Sequence, residues 1–148
     1  MNYPTFDDSV YVQKVNAFNT AIVDGNFPAS GSYIDVSAFE RFVFLIAAGT
    51  LDSALTCKVQ QAATINGTAK DVSGATVTVG ATDDDKWASI EVQGAKLDIN
   101  NGYNYVTLNV AGAAGSNDYL CILFLGMYPS AQPVTQHASY VSAVVVAG

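Results

Sequence analysis

Charged residues are scarce in this sequence, and most of them are acidic. Only 13% of the 148 residues are Asp, Glu, Lys or Arg, against about 25% in an average soluble domain. Thirteen acidic residues against six basic ones give a net charge of −7. That balance argues against nucleic acid or an anionic membrane as a direct partner. A surface this poor in charge predicts that another protein covers part of it.

Residue types that carry chemistry are also rare. The single histidine, His137, excludes most His-based metal sites and most catalytic triads. Two cysteines, Cys57 and Cys121, are too few for a disulfide framework. We expect both to be free thiols, although a bond between them stays an alternative. The composition therefore predicts a protein that is not an enzyme and that holds no cofactor and no metal.

Acidic clusters are the remaining candidates for a metal or catalytic site. Asp83, Asp84 and Asp85 could offer oxygen ligands to Ca²⁺ or Mg²⁺, but their spacing does not match an EF-hand loop. We interpret them as a solvated turn. A pair of carboxylates across a cleft, as in glycosidases, stays a minor alternative, with these candidates: Asp35, Glu40, Glu91 and Asp98.

Short runs rich in Val, Ile, Tyr and Phe alternate with clusters of Gly, Asn, Asp and Ser. Turn clusters about every 8–12 residues are typical of all-β sandwiches and barrels. The longest unbroken apolar run, residues 120–125, is far below the ~20 residues of a membrane-spanning helix. The pattern predicts strands at 32–36, 41–48, 55–60, 76–79, 87–92, 96–99, 103–110, 119–127 and 141–146.

These strands predict an all-β fold, a two-sheet antiparallel sandwich of jelly-roll type with extended N- and C-terminal arms. Within one domain, we assign residues 1–31 to the N-terminal arm, 32–127 to the sandwich and 128–148 to the C-terminal arm. The last 30 residues contain no Asp, Glu, Lys or Arg. An uncharged tail with two prolines predicts docking on a neighbouring subunit. We expect both arms to pack mainly against other chains.

The candidate contact residues all lie in the C-terminal arm. They are Tyr128, Pro129, Pro133, Val134, Thr135, Gln136 and Tyr140. A second kind of surface is an alternative, because Tyr103 and Tyr105 share one strand face and could form a sugar-binding platform.

The order of motifs from Ile34 onward resembles small virion proteins of tailed phages, namely capsid decoration (cement) proteins of jelly-roll type. The resemblance covers residues 34–148, and each motif is short. The motifs are residues 34–39, 42–44, 49–53, 57–61, 71–75, 83–86, 125–128, 133–136 and 144–146. Residues 103–107 depart from the family, which often carries basic residues there.

This resemblance implies a non-enzymatic phage capsid decoration protein that binds the outer surface of the shell and stabilises it. The implied partners are the major capsid protein and further copies of the chain, in a homo-oligomer for which a trimer is favoured over a dimer. The implied location is the capsid surface of a virion, after synthesis in the host cytoplasm. Two alternatives stay open: a carbohydrate-binding jelly-roll module, and a head-fibre or tail structural protein.

Overall fold

The chain is almost entirely β-structure in a computed structural model that describes residues 4–115 and 117–146. A single turn of helix, α1 (Phe6–Ser9), precedes the first strand, and two 3₁₀ helices, Gly94–Lys96 and Ile99–Asn101, follow the seventh. No helix within the described ranges is long and apolar enough to cross a membrane. The strands are β1 (Val10–Lys14), β2 (Gly25–Phe27), β3 (Ile34–Asp35), β4 (Phe39–Ala48), β5 (Leu55–Ala62), β6 (Lys70–Val79), β7 (Trp87–Gln93), β8 (Tyr105–Ala111) and β9 (Leu120–Pro129).

The strands form two antiparallel sheets with jelly-roll winding. One sheet has the order β1-β9-β4-β7, and the other has the order β2-β8-β5-β6. The short strands β2 and β3 pair with successive stretches of β8 and share one strand position. Consecutive strands such as β4 and β5, or β8 and β9, lie in opposite sheets. This arrangement confirms the predicted all-β, two-sheet antiparallel sandwich of jelly-roll type.

The core lies between the sheets and takes alternate residues of the long strands. Phe42, Phe44 and Phe124 of the first sheet are 0% exposed, and the Phe42 and Phe124 rings stack with centroids 5.7 Å apart. From the second sheet, Leu55 and Leu108 are equally buried. The outward residues of β4 are only half-buried. The apolar run in β4 therefore faces the core on one side only.

The sequence places five long strands, β4, β5, β7, β8 and β9, within a few residues of their observed bounds. Two predicted strands are wrong. Residues 96–99 run through two 3₁₀ turns, because the left-handed Gly102 (φ 77°) closes the second turn rather than a hairpin. Residues 141–146 are extended but pair with no strand among the described residues.

The assignment of residues 1–31 to an arm outside the sandwich also needs correction. β1 pairs along its whole length with β9, and β2 pairs with β8. Beyond β1, the Asn16 side chain continues the contact: its Oδ1 accepts the Ile122 N–H at 2.9 Å and its Nδ2 donates to the Leu120 oxygen at 2.7 Å. The sandwich therefore begins at Val10.

Candidate interaction surface at the chain ends

The C-terminal arm first follows the outer edge of β1 in its own chain. The Val134 N–H donates to the Asp8 oxygen at 3.0 Å, and the Lys14 N–H donates to Ser139 Oγ at 3.3 Å. The expectation that both arms pack mainly against other chains is therefore wrong for β1 and β2, and residues 134–139 also rest on their own chain.

Gln136 is the central contact between the arm and β1. Its Nε2 donates to the backbone oxygens of Asp7 and Val10, at 3.0 and 2.6 Å, and its Oε1 accepts the Val12 N–H at 2.9 Å. A primary amide carries donors and an acceptor, so one side chain can bond the donors and acceptors of a strand edge. Gln136 thus takes the place of a neighbouring strand on β1.

Three further predicted contact residues, Pro133, Val134 and Thr135, line a groove of about 520 Å³ with Tyr11 and Phe39. The Tyr11 and Phe39 rings lie 5.5 Å apart, centroid to centroid. Phe39 lies directly over Gly126, where an added Cβ would come within 2.7 Å of the ring. Burial raises the pKa of Tyr11, whose hydroxyl donates to Gln13 Oε1 at 2.8 Å. Pro129 also borders this groove.

A turn at His137–Tyr140, closed by the Tyr140 N–H on the His137 oxygen at 2.9 Å, sends the last described residues back toward α1. We call the exposed apolar surface there the terminal patch. It consists of Phe6, Tyr140, Val141, Val144, Val145 and Val146, which are between 39% and 95% exposed. Partial burial, and then the Asp7 carboxylate, raise the pKa of Tyr140. Large apolar side chains that are exposed close together, as Phe6, Tyr140 and Val144–Val146 are around one groove, are typical of an interaction site.

Tyr128 is next to Pro129 at the end of β9 but lines a different groove from the other predicted contact residues. Its backbone has a left-handed φ of 51°, and its side chain is 63% exposed. It lines a separate groove of about 620 Å³ with polar neighbours that include Glu40, Gln93 and Asn104. A non-glycine residue in this conformation is uncommon and is enriched at functional sites.

The acidic cluster that the sequence singled out, Asp83, Asp84 and Asp85, lies in a turn, where Asp83 and Asp84 hydrogen-bond to loop backbone. Asp83 accepts the Gly80 N–H and pairs with Lys86 at 2.8 Å, and these contacts lower the pKa of Asp83. Asp84 accepts the Leu51 N–H. Within the described ranges, no group of three or more His, Cys, Asp or Glu could hold a metal ion. Cys57 and Cys121 are free thiols.

The proposed tyrosine platform is only partly available. Tyr105 begins β8, whereas Tyr103 precedes the strand. The Lys70 ammonium lies 3.9 Å from the centre of the Tyr103 ring, and so occupies one face on which a sugar would stack.

Sequence reasoning missed Asp118, which fixes the loops at one end of the sandwich. This carboxylate is 0% exposed, and its Oδ1 accepts the N–H groups of Asp52 and Ser53 at 2.8 and 2.9 Å. Burial raises the pKa of Asp118, but the hydrogen bonds outweigh it, and the net shift is downward. The surrounding Gly, Ala, Ser and Asn residues indicate only a flexible connector, so the sequence offers little signal for this role.

Comparisons with known proteins give distant structural neighbours for this chain. No family model matches the chain, and no curated protein matches it. Among solved structures, the coat protein of Tobacco streak virus is similar, with a TM-score of 0.47 and 10% sequence identity. The match covers 97% of this chain and 99% of that chain. A similarity this distant does not bear on function.

Proposed function

We propose that this chain is a non-enzymatic structural protein of a virion, and more specifically a capsid decoration protein that binds the outer surface of the shell. The observation that carries the proposal is the terminal patch. Val141, Val144 and Val146 are 95%, 89% and 92% exposed, at the end of a tail without a single charge. Such side chains favour burial against another protein.

The sandwich suits a role in which the ends make the contacts. Its core is fully buried and rich in Phe, Leu, Ile and Val, so the fold does not need the terminal patch for its own packing. Burial of apolar surface contributes about 25 cal/mol of favourable free energy per Å². A standard interface buries about 800 Å² on each partner. Many copies on one shell multiply weak individual contacts into firm attachment.

The proposed partners are the major capsid protein and further copies of this chain, with a trimer as the favoured oligomer. A trimer matches the local threefold positions at which three shell subunits meet. In this mechanism, the protein adds buried area across subunit junctions, and the added area opposes expansion of the shell. The proposed location is the capsid surface, after synthesis in the host cytoplasm.

A carbohydrate-binding module is the second candidate, and the Tyr128 groove favours it. An exposed aromatic ring beside Glu40, Gln93 and Asn104 offers a stacking face with hydrogen-bonding groups around it. A glycan array tests this function. Binding of a glycan by the natural chain would support it if Tyr128→Ala abolishes the binding and the control Tyr119→Ala preserves it. If the protein binds no glycan on the array, the carbohydrate-binding function is refuted.

The decoration role is tested by imaging particles of the virus that encodes the chain, assembled with and without this protein. We expect extra density of a 15.5 kDa jelly roll on the outer shell, at positions that are empty when the protein is absent. Density confined to the tail or a head fibre would instead favour another structural role in the virion. Particles that contain none of the protein would contradict the proposal.

A further inference from the structure

One edge of the sandwich, β7, is long and has no strand paired with it among the described residues, whereas the other edges are short or protected. β1 is capped by Gln136. β2 and β3 have only three and two residues. β6 is interrupted by a bulge opposite Lys58–Gln60 and starts with the charged residues Lys70 and Asp71. Bulges, charges and short length are the usual protections of sheet edges against pairing with another chain.

β7 has none of these protections apart from one charge. It runs for seven residues and, within the described ranges, pairs only with β4. Its one charged residue, Glu91, is engaged by Arg41 at 2.7 Å. A sheet edge of this kind is a template for an added strand.

A groove of about 510 Å³ lies beside this edge, between β7 and β6. Ile90 and Val92 of β7 line it from one side, and Val72 and Ala75 of β6 line it from the other. All four side chains are buried in the sandwich, with exposures between 5% and 8%. Polar residues line the groove as well, among them Arg41, Glu91 and Lys96, so a strand added to β7 would meet both apolar and charged side chains.

The chain itself contains an unpaired segment that fits this edge. Residues 141–146, Val-Ser-Ala-Val-Val-Val, carry no charge and no proline, and four of the six are β-branched valines. Such residues favour strands. Six extended residues span ~20 Å, close to the length of β7, and their side chains are apolar on both faces except at Ser142.

The segment cannot reach the edge of its own sheet. Residues 134–139 are fixed along β1, and β7 is the opposite edge of the sheet β1-β9-β4-β7. Crossing the sheet would take three strand spacings, ~14 Å. All six residues are needed to lie along β7, so none remain for the crossing.

We propose that residues 141–146 of one copy add as a strand to the free edge of β7 of a second copy. This inference rests on the homo-oligomer in the proposed function and names its contact surface. The donor segment and the acceptor edge are different surfaces. Two copies that exchange the segment reciprocally form a dimer, whereas copies that pass it on in one direction make a head-to-tail contact. A head-to-tail contact makes a closed ring when the rotation between copies allows it, and three copies make the favoured trimer.

The test compares the full chain with the full-length double variant Val144→Asp, Val145→Asp by sedimentation velocity and hydrogen exchange. We expect the natural sequence to be oligomeric and the variant to be a folded monomer, with a thermal midpoint that is lower only by the stabilisation that association of the copies adds. Amides of β7 should exchange about tenfold more slowly in the oligomer. The control is Val23→Asp, at a valine that is 67% exposed in a loop before β2, which should stay oligomeric.

Three results would overturn the inference: a natural chain that is monomeric at every soluble concentration, a double variant that keeps the oligomer, or an oligomer without added protection in β7. Shell binding is measured separately in each variant. A natural chain that is monomeric and still binds the shell would refute the strand exchange and leave the decoration role intact. An oligomer in which β7 is protected but which has no affinity for shells would support the strand exchange and refute the decoration role.

Discussion

The side-chain oxygen of Gln136 accepts the backbone N–H of Val12 at 2.9 Å, across 124 positions of sequence. The same side chain bonds the Asp7 and Val10 oxygens. One residue of the uncharged tail thus closes the edge of the first sheet and ties the end of the chain to its beginning. The exposed residues beyond Tyr140 therefore follow a segment that Gln136 holds against α1 and β1.

We expect Gln136→Ala to destabilise the protein by about 1–3 kcal/mol. The reason is that it removes three hydrogen bonds and leaves part-buried backbone groups of α1 and β1 without their partner. Chemical denaturation measures the free energy of unfolding. The matched control, Gln132→Ala, removes an exposed amide of the same tail and should change that free energy by less than about 0.5 kcal/mol. Equal effects of the two substitutions would contradict the edge-closing role.

Gly126→Ala should also destabilise the protein, by about 1–3 kcal/mol, because the new methyl group would force the Phe39 ring off β9. Thermal or denaturant unfolding measures the loss. Gly115→Ala is the control, since its Cβ would meet the nearest atom of Asp52 at an ordinary 3.5 Å. A Gly126→Ala protein as stable as the control would show that Phe39 is not packed against this glycine.

Asp118 should make stability depend on pH in the acid range. Its pKa is lowered in the folded state from an unfolded value of about 3.9, so the folded state binds fewer protons than the unfolded state between the two values. The stabilisation is therefore fully present above the unfolded pKa and is lost as pH falls through the folded pKa. Free energies of unfolding at a series of pH values below about 5 measure this slope.

In Asp118→Asn, the plot of unfolding free energy against pH should be flatter in the same range. Asp85→Asn is the control, because Asp85 is exposed and its left-handed φ of 58° suits asparagine. The control should keep the acid slope of the natural sequence. A slope that Asp118→Asn leaves unchanged would mean that other carboxylates carry the acid sensitivity.

The two thiols should react at different rates. Burial raises the pKa of Cys57 to about 11, and it also raises the pKa of Cys121. Cys57 is 0% exposed inside the sandwich, whereas Cys121 is only half-buried. Because the thiolate is the reactive form, we expect a thiol reagent near pH 8 to modify Cys121 first and Cys57 only on unfolding. Mass spectrometry of the labelled peptides checks the order, and equal rates in the native protein would contradict it.

Much of the sandwich is predictable from local sequence because its long strands alternate. Leu55, Cys57 and Val59 of β5 point inward, as their spacing predicts. The role of β1 is not predictable in this way, because its partner β9 lies more than 100 residues later in the chain. Gln136 gives no local signal either, since an amide becomes an edge cap only when tertiary structure brings it beside a strand.

The contact residues also divide into those that local sequence indicates and those that only the tertiary structure reveals. The uncharged tail predicts docking on a neighbouring subunit, which stays a prediction. The exposed valines Val141 and Val144–Val146 lie in the segment for which the sequence predicts a strand. Phe6 belongs to the same patch but lies at the other end of the sequence, and only the turn at His137–Tyr140 brings the two ends together.

The central claim, that this protein stabilises a viral shell, is tested most directly by the melting temperature of particles assembled with and without it. Shells of the encoding virus are purified without the protein, saturated with the natural chain, and heated beside untreated shells. We expect the saturated shells to melt at a higher temperature, because each bound copy adds buried area across subunit junctions. Shells that bind no protein, or that bind it and melt at the same temperature as untreated shells, would refute shell stabilisation by this protein.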